Sequence, residues 1–208
     1  RDRSRRYRRN GAPPPCPPSR RGKTTTAAKG RGGAAVAVVG ATPPEAERGS
    51  VLVADSAWRL FDRLGVRVQM LPKARHPLEH GQRIRVYLGT REVMARTLTF
   101  EREPIPAGSS GWAVLALESP LLARTRDRAI LRFYSPLATI GGAQVVDLDP
   151  TRSWMDHVEV WRRILEGSEA AAFEGAVELA GTKGLSIAEA PLRVGCSSAK
   201  IDQVASGA

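Results

Sequence analysis

Cysteine, histidine and aromatic residues are all scarce in this chain, and each scarcity removes a class of chemistry. Cys16 and Cys196 are far apart and fit no CxxC or Cys/His spacing. Neither a disulfide framework nor a zinc site is therefore expected, and a reducing cytoplasm suits the pair. His76, His80 and His157 show no HExxH-type spacing, so no metal centre is expected. No apolar run approaches the roughly 20 residues that cross a bilayer, and the Arg-rich start has no apolar stretch behind it. A soluble cytoplasmic protein with no membrane contact is the expectation. Paired carboxylates, a Ser/His/Asp set and a Cys/His set are also missing, which leaves no basis for catalysis by these residues.

Acidic residues are nearly absent from the first 33 positions, where 11 Lys or Arg stand against Asp2 alone. The remaining residues hold 21 basic and 20 acidic side chains, so almost all of the net charge of +11 lies in the tail. A claim of nucleic-acid binding by the folded part must therefore rest on local patches and not on overall charge. The tail is Arg-rich, then Pro-rich, then rich in Thr, Ala and Gly, without the period of a strand or a helix, and is expected to be disordered. Two readings of it stand: a basic arm on RNA phosphates, or the product of a frame-shifted start in GC-rich DNA. Gly22-Lys23-Thr24 resembles the end of a phosphate-binding loop, but that motif needs glycine where Pro17 stands. Proline removes a backbone donor and the freedom to turn, so no nucleotide site is expected there.

Apolar runs at 35–39 and 51–54 flank a loop containing Pro43-Pro44 and read as two short strands. Between Val66 and Asp149 come about six strand-like runs. Ile84, Val86 and Leu88 alternate with Arg83, Arg85 and Tyr87, and Gly, Pro and Asp punctuate the joins. Strands at this spacing without intervening helices predict an antiparallel barrel or sandwich, with Leu115, Leu117, Leu131 and Phe133 in its core. After Asp149-Pro150 the period changes. Val158, Trp161 and Leu165 share a helical face, residues 168–180 are rich in helix formers and are stopped by Gly181, and Ser186 with Glu189 has the form of a capping box. Gly195 then turns between two short helices, the outline of a helix-turn-helix, although Pro191 falls early in the first and would cost about 3 kcal/mol inside a helix. Trp161 reads as core; Trp58, Trp112 and Trp154 are open between core packing and base stacking.

Three runs carry a resemblance. Gly81-Gln82-Arg83-Ile84-Arg85-Val86 with Leu88-Gly89-Thr90-Arg91-Glu92-Val93, then Ala123-Arg124-Thr125-Arg126-Asp127-Arg128 with Arg132-Phe133-Tyr134-Ser135-Pro136, then Thr139-Ile140-Gly141-Gly142 with Asp147-Leu148-Asp149-Pro150 stand in one order and spacing. Together they resemble the third domain of the bacterial selenocysteine-specific elongation factor, a translational GTPase related to elongation factor Tu. The resemblance implies that 34–54 ends a second-domain-like barrel, 55–150 is the third-domain barrel, and 151–208 begins a winged-helix domain whose wing is missing. The fold class is thus mostly β with a C-terminal α segment. Ala143 replaces a third glycine and 144–148 runs one residue long, which leaves the register there open.

The resemblance also implies a function. Such factors carry selenocysteyl-tRNA to the ribosome at recoded UGA codons, with GTP and magnesium held by a GTPase domain that this piece lacks. Their winged helices bind an mRNA hairpin. The chain as given is then a monomer, not an enzyme, without a cofactor or metal of its own. Related factors place tRNA-contacting loops at Thr90 with Arg91 and at Arg132, Tyr134 and Ser135. Arginine forks would grip phosphates, because the deep groove of A-form RNA is closed to side chains. The bland account makes Arg91 and Arg132 solvated charges and Tyr134 a packing residue. The rival from another class is a DNA-binding regulator joining a β-barrel sensor to the helix-turn-helix, for which Lys200 is the one basic residue on the recognition-helix candidate.

Overall fold

The computed structural model describes residues 49–53, 57–135 and 137–206. The tail at 1–33 and most of the 34–54 stretch lie outside the described residues; 49–53 form no strand. Six strands, β1 (Leu60–Met70), β2 (Arg83–Leu88), β3 (Arg91–Thr99), β4 (Ser110–Leu122), β5 (Arg128–Phe133) and β6 (Thr139–Leu148), close into a barrel in the order β1-β4-β3-β2-β5-β6. Every neighbouring pair is antiparallel. Alternation sends Val66, Val68, Ile84, Val86, Leu115 and Leu131 to the interior, where each is 0% exposed, and burial of such side chains contributes roughly 1.5–3 kcal/mol apiece. Leu117 and Phe133 join them, as their pattern predicts.

The pairing shifts register at three places: Leu131 of β5 faces Gly141 but Arg132 faces Thr139, and two further bulges lie in β4 and β6. Phe61 pairs with Leu121 but Arg63 pairs with Ala116, so β4 carries extra residues opposite Asp62. Pro120 falls in this bulge, where a missing ladder N–H is tolerated. On β6 the one-residue excess in 144–148 resolves as a second bulge: Gly65 faces Asp147 while Val66 faces Val145. Val145 and Leu148 then point into the barrel, while Val146 joins a second core outside it.

That second core belongs to the helices. α1 (Val158–Glu166), α2 (Glu169–Ala180), α3 (Ala190–Val194) and α4 (Ser198–Ser206) pack with Val114 and Val146 of the barrel around Trp161 and Ile164. Trp154 stacks on Trp161 with centroids 5.2 Å apart, and Trp112 meets it edge-on at 6.0 Å. These three indoles are packing residues, and Trp58 is half-buried against the barrel core. On α1 Trp161 and Ile164 are fully buried, with Val158 and Val160 nearly so, whereas Leu165 is only half-buried. Val158 and Trp161 of the predicted stripe are buried as expected, and Ile164, packed on Gly175 of α2, takes the place expected for Leu165.

α2 starts where predicted, the Ser168 hydroxyl accepting from the Ala171 N–H, and ends at Gly181. The capping box does not form. The backbone turns from Ser186, with Ala190 N–H donating to its carbonyl at 3.0 Å, but no side chain caps α3. The Glu189 carboxylate instead faces Arg193 at 3.6 Å and Arg59 at 4.0 Å. Pro191 occupies the first turn of α3, where its missing N–H has no intrahelical partner, so the expected penalty is avoided. Gly195 closes α3 in the left-handed region at φ +78°.

Candidate nucleic-acid interface

The barrel has two unlike sides. The helices lie over β6, β1 and β4, against Val146, Gly65 and Val114. The opposite wall, made by β3, β2 and β5, turns its outer face to solvent. The period of two puts Arg83, Arg85 and Tyr87 on the outside of β2, Glu92, Met94 and Arg96 on that of β3, and Arg128, Ile130 and Arg132 on that of β5. Five arginines therefore face one glutamate on a single wall of a fold whose overall charge is almost balanced. This is the local patch that composition alone could not supply.

The register knits the face together. Arg85 stands between Met94 and Arg132, and Tyr87 between Glu92 and Ile130. The Arg132 guanidinium lies 5.9 Å from the centre of the Tyr87 ring, and Arg83 and Arg85 lie 5.1 and 5.4 Å from that of Tyr134. These are cation–π distances. Arg85 also pairs with Glu92, and Arg83 forms a two-pronged bond to Glu118 of β4, both contacts at 2.6 Å. Hydrogen bonding to those arginines holds Glu92 and Glu118 below the usual carboxylate range. The Nε atoms of Arg85 and Arg132, cross-strand neighbours, find no hydrogen-bond partner among the described residues.

The five residues singled out in the sequence fall into two groups. Gly89-Thr90 forms the two-residue turn between β2 and β3, made possible by φ +57° at Gly89. Thr90 is exposed and Arg91 half-buried. Gly49 packs on the Arg91 side chain, for a Cβ there would sit 2.7 Å from Arg91 Cδ. Tyr134 and Ser135 lie past the other end of β2, since Ile84 pairs with Phe133. Both are exposed, Tyr134 by 51%. At about 3.3 Å per residue the two groups stand roughly 15 Å apart along β2. The structure does not merge them into one loop cluster; Arg132 and its neighbours on the sheet face lie between them.

A comparison with known families bears on this barrel: the model described as "Selenocysteine-specific elongation factor, beta-barrel domain" matches residues 65–152. Residues 65–152 are thus similar to that barrel domain. A selenocysteine-specific elongation factor from Desulfomicrobium baculatum is 25% identical over 170 residues, which cover 81% of this chain and 27% of that protein. The chain thus spans about a quarter of that relative's length. The crystal structure of a bacterial selenocysteine-specific elongation factor, EF-Sec, aligns at 17% identity and TM-score 0.48 over 68% of this chain and 21% of that one.

Sequence reasoning missed Arg83, Arg85, Tyr87, Arg96 and Arg128 as members of the barrel's charged wall. The signal was present for three of them, since alternation against Ile84, Val86 and Leu88 already placed Arg83, Arg85 and Tyr87 outside. Elsewhere, no helix among the described residues is long and apolar enough to cross a membrane. No group of three His, Cys, Asp or Glu side chains there could hold a metal.

Proposed function

We propose that this chain is a piece of a selenocysteine-specific elongation factor whose barrel rests against the stem of selenocysteyl-tRNA through its arginine wall and the turns at either end of it. The single observation that carries the reading is the family match of residues 65–152. The wall supports it physically. Its guanidiniums are spread over a sheet face and not gathered in a pocket, which suits phosphates along a helical backbone. Arg83, Arg85 and Arg132 also lie against the Tyr87 and Tyr134 rings, which leaves those rings poorly placed for stacking on unpaired bases.

Within the full-length factor the remaining roles belong elsewhere. GTP and magnesium would be bound by a GTPase domain. Among the described residues no strand passes through a glycine-rich turn into a helix, the unit that cradles nucleotide phosphates, so no nucleotide chemistry is assigned to them. Residues 151–206 would open the winged-helix region that leads to an mRNA hairpin, and delivery would take place at the cytoplasmic ribosome, with the factor a monomer.

The rival DNA-binding reading is weakened by α4, where Lys200, its basic residue, is drawn into an ion pair with Glu169 of α2. Gel-shift titration of the chain against selenocysteine tRNA, an ordinary elongator tRNA and a DNA duplex of equal charge tests the proposal. Preference for the tRNAs, with affinity that falls steeply with salt, is expected. Equal or tighter binding of the DNA duplex would sink it.

A further inference from the structure

The helices meet the barrel through a polar knot set within apolar packing. Asp147 follows the β6 bulge and is 6% exposed. Its Oδ2 accepts from the Trp161 indole N–H at 3.3 Å, and the Arg193 guanidinium stands 4.0 Å from its Oδ1. Arg193 also donates to the Leu148 carbonyl at 3.0 Å. Two further bonds cross the same boundary: the Thr125 N–H donates to the Leu192 carbonyl at 2.9 Å, and the Arg126 guanidinium donates to the Ile164 carbonyl at 2.9 Å. The exposed Arg67 of β1 pairs with Glu166 at the end of α1.

We propose that residues 151–206 form a fixed arm of the barrel instead of a module swinging on its linker, and that Asp147 is the positioning residue that sets the angle of the arm. A buried carboxylate is tolerated when it is bonded and paired, and strongly penalised when a partner leaves. The partners of Asp147 stand on two different helices, Trp161 on α1 and Arg193 on α3, so rotation of the arm about either helix strips the carboxylate of the other. Burial raises the Asp147 pKa, with Arg193, Trp161 and His157 opposing the shift and Asp149 adding to it. The carboxylate is therefore a group whose bonding the fold cannot give up cheaply. The indole of Trp161 has one place to go because Gly65 leaves the barrel wall bare: a Cβ there would lie 2.6 Å from the ring. The arm covers β6, β1 and β4 while the arginine wall is β3, β2 and β5. The arm thus leaves the arginine wall uncovered.

The test places spin labels on the full chain with Cys16 and Cys196 changed to Ser, one at Glu103→Cys beside the barrel and one at Lys183→Cys on the arm, both exposed positions. Pulsed dipolar spectroscopy should give one narrow distance distribution. Asp147→Ala is expected to broaden it at least twofold, and Asp147→Asn, which keeps an acceptor for Trp161 but no charge for Arg193, by less. Should Asp147→Ala fail to fold, Asp147→Asn and Arg193→Met carry the comparison, with far-UV circular dichroism confirming that the barrel and helices are intact. A broad or multiple distribution in the unsubstituted arm would overturn the fixed arm. An unchanged narrow one in the folded Asp147 variants would overturn the role of Asp147.

Discussion

Trp161 occupies the space that a side chain on Gly65 would fill, its ring carbons 2.6 and 2.7 Å from where a Cβ would stand. Gly65 is in the middle of β1, and its backbone conformation is one any residue adopts. The glycine is needed there because α1 presses an indole onto the strand, and not because the chain turns. The Asp147 Cβ, on the bulged part of β6, is a further 2.9 Å neighbour.

Gly65→Ala should therefore destabilise the protein by about 1–3 kcal/mol, the range for overfilling a packed interface. Urea unfolding followed by tryptophan emission checks this. Gly142→Ala provides the control, since a Cβ at Gly142 meets nothing closer than the Ala129 carbonyl oxygen at 3.5 Å and should leave the midpoint almost unmoved.

Gly195→Ala should also destabilise, by two separate routes. At φ +78° a Cβ costs about 1–2 kcal/mol from backbone strain alone. The same Cβ would collide with the Thr125 carbonyl oxygen, part of the barrel backbone that cannot swing aside. A loss above about 2 kcal/mol in urea unfolding is the expected outcome, and a loss within the strain range would mean that the two backbones separate easily.

The barrel was legible because a period of two is a local signal. Arg83 to Leu88 announces its own inside and outside, and so do the runs that become β3 and β5. Strand partnership is not local, and the wall of arginines exists only because β5 pairs with β2. Without that pairing Arg132 and Arg85 are two solvated charges on separate strands. The excess residue near Val146 was countable in the sequence, but which residue would leave the ladder depended on Gly65 and Trp161, both distant in sequence. The capping box failed for a similar reason: Glu189 had a reachable arginine at Arg193 and another at Arg59, and an ion pair replaced the cap.

Asp147 gives a pH dependence whose sign runs opposite to that of an ordinary ion-paired carboxylate. Burial raises its folded pKa above the usual 3.8. Between 3.8 and the folded value the native protein holds a proton that the unfolded chain has released, so this group's contribution to stability falls as pH rises through that window. Below 3.8 both states are protonated and no penalty exists. The stability difference between the parent and Asp147→Asn, from urea midpoints at a series of pH values, should accordingly decline with rising pH and level off above the folded pKa. A difference that grows with pH would mean that Arg193 and Trp161 outweigh burial.

Substitutions on the arginine wall should change RNA binding and leave the fold alone. Arg128, Arg132 and Arg96 project from the sheet into solvent or over a neighbouring ring, so Arg132→Ala and Arg128→Ala should unfold at the parent temperature. If each guanidinium neutralises one phosphate, each change should lower the slope of log affinity against log salt by about one, and the double variant by about two. Glu92→Gln tests the same surface from the other direction. Its carboxylate, held ionised by Arg85, repels phosphate at the Thr90 end of the wall, and its removal should tighten binding of selenocysteine tRNA and of an elongator tRNA alike, because a backbone contact carries no sequence information. Fluorescence anisotropy titrations at several salt concentrations read all three effects. If the arginine variants keep the parent slope while Glu92→Gln leaves affinity unchanged, the RNA does not lie on this wall, and the turns at Thr90 and Tyr134 must act without it.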